Sequence, residues 1–162
     1  AEGASVVITG IPGDGVIAVA AEITASGGSA IAIPTDVSGP AQIEAAVGQT
    51  VEAFGRLDVV VPNAGIQMHN EGRTHDLNYK GHYFACKYAL AQTVKQGEGG
   101  AVIIIASVTA LTRTMANVTY STGKAGLINL ARHIAVYYGD QGIRAYSICP
   151  DARFSRFTLC CM

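Results

Sequence analysis

Charge is scarce in this chain. Lys and Arg number 11 and Asp and Glu 12 in 162 residues, a charged fraction of 14% against the ~25% of ordinary soluble domains. The net charge of −1 gives no electrostatic reason to expect nucleic acid or an anionic membrane surface as partner. No apolar run approaches the ~20 residues of a membrane span, and the first residues lack the basic and apolar regions of a secretion signal, so a cytoplasmic location is expected. Cys-x-x-Cys spacing is absent. Cys86, Cys149, Cys160 and Cys161 read as free thiols rather than a disulfide framework or metal site. His69, His75, His82 and His133 form no ligand motif either; His82 and Cys86, at i and i+4, are explained by helix packing. Repeats, charge blocks and linkers are missing too, which leaves one domain over residues 1–162.

What is present is apolar: 49% of the residues are hydrophobic, enough to bury the core of one α/β domain, with apolar surface left over for a subunit interface. Strand-like runs alternate with helix-like ones, the signature of a parallel sheet covered on both faces. Strands are expected at about 4–9, 29–34, 57–61, 101–106 and 143–148. Helices are expected at 16–26, stopped by Gly27-Gly28, and from Ser38 and Pro40 to about Phe54, closed by Gly55. Two more are expected at 74–94, ended by Gly97, Gly99 and Gly100, and at 119–138.

The last of these carries Tyr120 and Lys124, which share one helix face at i and i+4. An ammonium beside a phenol, which titrates near pH ~10 alone, favours the phenolate and suits a general acid/base. Ser107, thirteen residues upstream, ends the apolar run Val102 to Ala106, which reads as a buried parallel strand. Ligands bind at the carboxyl edge of such sheets. Thr9-Gly10-Ile11-Pro12-Gly13-Asp14-Gly15 follows a strand and opens a helix, the context in which glycines let backbone amides approach a pyrophosphate. Asn117-Val118-Thr119 fits a glycosylation pattern that has no meaning in a cytoplasmic protein.

Taken together these motifs resemble the short-chain dehydrogenase/reductase family, classical type, over nearly the whole chain. The run Thr9 to Gly15, with Thr9, Gly10, Gly13 and Gly15, resembles the family's cofactor loop. Asp36-Val37 resembles its adenine-contacting pair, Asn63-Ala64-Gly65 its Asn-Ala-Gly element, and Asp76 to Gly81 the segment bearing its catalytic Asn, here Asn78. Ser107, Tyr120 and Lys124 fall on the remaining catalytic positions. Pro150, after which the family continues through a substrate-binding loop and a final strand, is read by the same resemblance as a further cofactor contact. The resemblance implies a Rossmann-like, doubly wound parallel sheet in three αβα layers, NAD or NADP as cofactor, a small alcohol or ketone as substrate, and a homo-oligomer, dimer or tetramer, built on the helices 74–94 and 119–138.

It also implies a mechanism. Tyr120 exchanges a proton with the substrate oxygen while hydride passes to or from the nicotinamide. Lys124 holds the nicotinamide ribose, Ser107 hydrogen-bonds the substrate oxygen, and Asn78 holds a water linking Lys124 to solvent.

The sequence departs from the family in several places. The glycine loop is one residue short and contains Pro12, which has no amide proton. Pro62 replaces the Asn the family prefers, and Asp151 the Gly. The run Ala30 to Ser38 resembles the third strand of the family rather than the second, so Asp36 is not the acid that selects NAD over NADP. The second strand, the αD-like segment between Gly65 and Asn78 and the C-terminal strand are missing, and the tail from Arg153 has no counterpart. The domain is therefore read as incomplete, stitched from ordered pieces of a longer protein with seams near Gly15–Ala18, Asn70–Glu71 and Pro150–Phe154. Loss of an internal strand would leave buried backbone groups to be satisfied some other way. These departures support a second reading, a catalytically silent nucleotide-binding or oligomerisation module, which the retention of all four catalytic residue types opposes.

Overall fold

The computed structural model describes residues 2–13, 15–66, 70–112 and 116–151. Five parallel strands are present: β1 (Ser5–Gly10), β2 (Ser29–Pro34), β3 (Val59–Val60), β4 (Gly100–Ile105) and β5 (Ile143–Ile148). Between them run α1 (Val16–Ala25), α2 (Pro40–Phe54), α3 (Glu71–His75), α4 (His82–Gln96) and α5 (Val118–Tyr138). Every strand pairing is parallel, with helical crossovers covering the sheet, in a Rossmann-like α/β arrangement.

The missing strand is bridged directly. β1 pairs with β2 from Ser5↔Ser29 to Gly10↔Pro34, so the backbone groups on that side of β1 find partners with nothing inserted between. The other group is β3-β4-β5, and the sheet is thus divided between β1 and β3. α2, which packs on both β1 and α4, ties the two groups together.

β3 is shorter than the expected 57–61 for two local reasons. Leu57 does not enter the ladder, because the Gln96 side chain takes both of its backbone groups: Leu57 N–H donates to Gln96 Oε1 (2.8 Å) and Gln96 Nε2 donates to the Leu57 carbonyl (3.1 Å). At the other end Pro62 accepts from Ile105 N–H (3.0 Å) but has no proton to return. β5 stops in the same way, since Pro150 accepts from Val108 N–H at 3.1 Å and likewise cannot donate.

The helix expected at 74–94 begins earlier, at Glu71, where the Asn70 side chain accepts from Arg73 N–H (3.0 Å). It also changes pitch. Residues Asp76–Gly81 form a π turn before α4 resumes the α-helical winding, and such one-turn expansions gather at functional sites. α2 starts as expected at Pro40, but Gly39 rather than Ser38 occupies the capping position. Ser38 is engaged elsewhere.

Apolar periodicity places the main core where α4, α5, β4 and β5 meet. Cys86, Leu90, Val102, Ile104, Leu127, Ala131, Ile134 and Ile143 form it, with Ile104 and Leu127 fully buried. Each buried Leu or Ile contributes roughly 2 kcal/mol, and this core lies in the half of the molecule that carries Ser107 and Lys124. No helix among the described residues is long and apolar enough to cross a membrane.

Candidate active site

The carboxyl end of β4 is fixed on the β3 side by Pro62, which accepts Ile105 N–H, and on the other side by the chain of β5. Ala106 N–H donates to the Ile148 carbonyl (2.8 Å) and Val108 N–H to that of Pro150 (3.1 Å), pinning buried Ser107 between them. The Ser107 Oγ caps the short turn Val108–Ala110, accepting from Thr109 N–H (3.2 Å) and Thr109 Oγ1 (3.1 Å). A hydroxyl has two lone pairs and one proton. With both lone pairs filled, Ser107 is left with its O–H to give.

α5 packs against that turn and brings Tyr120 and Lys124 to it. Asn117 caps the helix, its Oδ1 accepting from Tyr120 N–H (3.2 Å). The residue that fitted a glycosylation pattern is thus a structural cap. Lys124 is 3% exposed, its Nζ donating to the Ile105 carbonyl (2.7 Å) and lying 5.8 Å from the centre of the Tyr120 ring. Burial disfavours the ammonium and lowers its pKa from 10.5 to about 8. Gly126 permits the close packing: a Cβ there would come within 3.0 Å of the Tyr79 ring, which the π turn presents to α5.

Asn78 sits in the π turn, 1% exposed. Its Oδ1 accepts from Ile66 N–H (2.8 Å) and its Nδ2 donates to the Ile66 carbonyl (2.5 Å), so one side chain replaces a strand partner for the segment after β3. The neighbouring Asn63, Ala64 and Gly65 are exposed. Gly65 lets the two segments approach: a Cβ there would lie 2.7 Å from Asn78 Oδ1, so the Asn78 side chain would have to shift. The Asn-Ala-Gly element and the Asn-bearing helix are interlocked by that contact.

The remaining cofactor candidates lie at and after the ends of β1 and β2. Gly10 accepts Thr35 N–H at 2.8 Å, joining the glycine loop after Thr9 to the Asp36-Val37 segment. Gly81 packs against that segment, where a Cβ would come within 2.8 Å of the Val37 carbonyl. Asp36 accepts from Ser38 N–H (2.9 Å) and Ser38 Oγ (2.7 Å); these bonds, the backbone one first, hold its carboxyl below the usual range. Gly13 and Gly15 stand apart from the Ser107–Lys124 cluster, exposed and with φ of 103° and 73°. A Cβ on either would meet nothing within 4 Å, and the first turn of α1 has no acidic residue; Asp14, which separates the two glycines in sequence, lies outside the described residues. Pro150 contributes its carbonyl to the sheet.

Sequence reasoning passed over Ile66, Gly81 and His82 as site components. His82 stands one helical turn after Asn78, which is the signal that pointed to it, and with Cys86 it is buried. Burial raises the Cys86 thiol to about 12. Among the described residues no cluster of His, Cys, Asp or Glu could hold a metal; Cys160, Cys161 and His69 lie outside them.

A family model described as short chain dehydrogenase matches residues 1–155. An L-rhamnose 1-dehydrogenase (NAD(P)(+)) of Sphingomonas sp. (strain SKA58) is 37% identical over 139 residues, covering 80% of this chain and 55% of that protein. Glucose 1-dehydrogenase 2 of Bacillus subtilis (strain 168) is 33% identical over 138 residues, covering 79% and 54%. A short-chain type dehydrogenase/reductase from Mycobacterium marinum superposes with a TM-score of 0.86 at 30% identity, covering 91% of this chain and 64% of that one. The chain spans about half the length of the curated relatives it matches.

Proposed function

Because the chain belongs to the short-chain dehydrogenase family, we propose that it serves an NAD(P)-dependent oxidoreductase that interconverts a secondary alcohol and a ketone. The observation that carries the reading is the convergence on the end of β4. There a buried Lys124 ammonium lies 5.8 Å from the Tyr120 ring, on a helix packed against the turn that Ser107 caps.

When bound, the nicotinamide supplies or accepts the hydride. Tyr120 gives a proton to the carbonyl oxygen, or takes one from the alcohol. Ser107, whose two acceptor positions are filled by Thr109, donates its proton to the same oxygen as charge develops on it. Lys124 sets a positive charge beside the phenol and reaches the ribose. Asn78 is committed through Oδ1 and Nδ2 to Ile66; it holds the segment after β3 in place, and its backbone and second Nδ2 hydrogen are what remain for a relay water. Gly10, Gly13 and Gly15 take the pyrophosphate, while Asp36, Val37 and Asn63 to Gly65 line the adenosine side. Two of the relatives are named for dehydrogenating the C1 position of sugars, so polyhydroxylated substrates are the first class to test.

A silent nucleotide-binding module is the second reading. It draws support from the direct β1–β2 pairing, which removes the strand that normally flanks the adenosine. Tyr120→Phe distinguishes the two. An enzyme loses turnover and keeps NAD(P)H binding, seen as nicotinamide fluorescence enhancement; a silent module gives no turnover in the unaltered chain. Failure of the unaltered chain to bind either dinucleotide would end the oxidoreductase reading and the nucleotide-binding form of the second, leaving an oligomerisation module.

A further inference from the structure

The strand that ends beside the glycine loop is β2, and it brings an acid with it. In a generic dinucleotide-binding fold the strand next to the first ends in a carboxylate about twenty residues beyond the glycines, and that group takes the 2′-hydroxyl of the adenosine ribose. Asp36 lies twenty-one residues beyond Gly15. The likeness of Ala30 to Ser38 to the family's third strand argues against that role, because it puts a further strand between β1 and this segment. No strand intervenes: β2 pairs directly with β1 up to Gly10↔Pro34. Thr35 N–H then donates to the Gly10 carbonyl (2.8 Å), so Asp36 follows a residue bonded to the first glycine of the loop.

The Asp36 backbone and one of its carboxylate oxygens are committed. Its N–H donates to Gln42 Oε1 (2.9 Å), and its carbonyl accepts from Gly39 N–H (3.0 Å). Oδ1 accepts from both Ser38 N–H (2.9 Å) and Ser38 Oγ (2.7 Å), which fills its two lone pairs. Oδ2 has no hydrogen-bond partner among the described residues, and Asp36 is partly exposed. The segment is also backed by Gly81, where a Cβ would come within 2.8 Å of the Val37 carbonyl. The Ser38 bonds, the backbone one first, hold the carboxyl below its usual range, with Arg73 the weakest influence. A fixed, ionised oxygen is left that accepts and cannot donate.

Resting on the oxidoreductase reading, we propose that Asp36 Oδ2 accepts the 2′-hydroxyl of the adenosine ribose and so makes this chain select NAD(H) over NADP(H). A 2′-phosphate removes that hydroxyl and sets two like charges against each other. This role differs from the adenine contact that the family resemblance implies for Asp36, and the two have different consequences. An adenine contact is common to both dinucleotides, whereas a ribose contact tells them apart.

Titration of NADH and NADPH into the unaltered chain and into Asp36→Asn, followed by nicotinamide fluorescence, tests this. Asn keeps the oxygen that Ser38 holds and puts an amide NH₂ in place of Oδ2, so the turn stays capped while the acceptor is lost. The unaltered chain should bind NADH about tenfold tighter than NADPH, and Asp36→Asn should weaken NADH about tenfold, the effect of one hydrogen bond to a charged group, while NADPH binds as well or better. Equal or tighter binding of NADPH by the unaltered chain overturns the proposal and leaves the oxidoreductase reading standing. So does a substitution that moves both dinucleotides by the same factor. The preference of the unaltered chain is read without any substitution, so an unfolded variant does not shield the proposal. Binding of neither dinucleotide overturns the proposal and the oxidoreductase reading together.

Discussion

Replacing Lys124 by Met should make the protein more stable at neutral pH and less stable in alkali. Burial lowers the Lys124 pKa from 10.5 to about 8, a difference worth roughly 3 kcal/mol between the two protonation states. Below the folded value the amine is charged in both folded and unfolded chains, so the full penalty weighs on the fold. Between the two values the unfolded chain binds more protons, and stability rises with pH. Above the unfolded value the amine is neutral in both states and the penalty is gone. Met keeps the stem in the core but loses the 2.7 Å bond to the Ile105 carbonyl, a loss of about 1–2 kcal/mol. The variant should therefore be about 1–2 kcal/mol more stable at pH ~7, and its advantage should vanish or reverse near pH ~10.5. Urea denaturation of both chains, followed by circular dichroism at each pH, measures the difference. A difference that does not change between the two pH values would refute the claim that Lys124 is held charged against its burial.

Gly65→Ala should cost about 2–3 kcal/mol, since a Cβ 2.7 Å from Asn78 Oδ1 must break the two bonds between Asn78 and Ile66. Denaturation midpoints of Gly65→Ala and Asn78→Ala, alone and combined, test this: the two effects should overlap strongly, and full additivity would show that they do not act through one contact. The exposed Tyr83, Val136 and Tyr137 on α4 and α5 lead us to propose a homo-oligomer through those helices. Sizing chromatography should give a dimer or larger species that Tyr137→Glu dissociates, and a monomer at micromolar concentration would count against it.

Much of this arrangement was legible from residues. Alternating apolar runs located four of the strands to within one residue, and Pro40, Gly55 and Gly97 marked helix ends because such end signals are a local matter. Tyr120 and Lys124 were legible as a pair because helix geometry alone joins positions i and i+4. What could not be read were effects of distant partners. Leu57 has strand-like neighbours, but a glutamine thirty-nine residues away takes its backbone. The π turn at Asp76–Gly81 leaves no trace in periodicity, because one extra residue in a single turn does not change the apolar spacing on either side. His82 looked like a packing residue and is buried like one. That its Nε2 finds no hydrogen-bond partner among the described residues is visible only in the fold.

The two prolines beside β4 have a wider effect. Pro62 and Pro150 each accept one bond from the β4 side and return none, so neither neighbouring strand can extend its pairing past that point. The sheet is insulated from whatever follows. Past Pro62 the chain is held from another direction, by Asn78 through Ile66, so the register of the strands and the placement of the segment beside Ser107 are set by separate contacts.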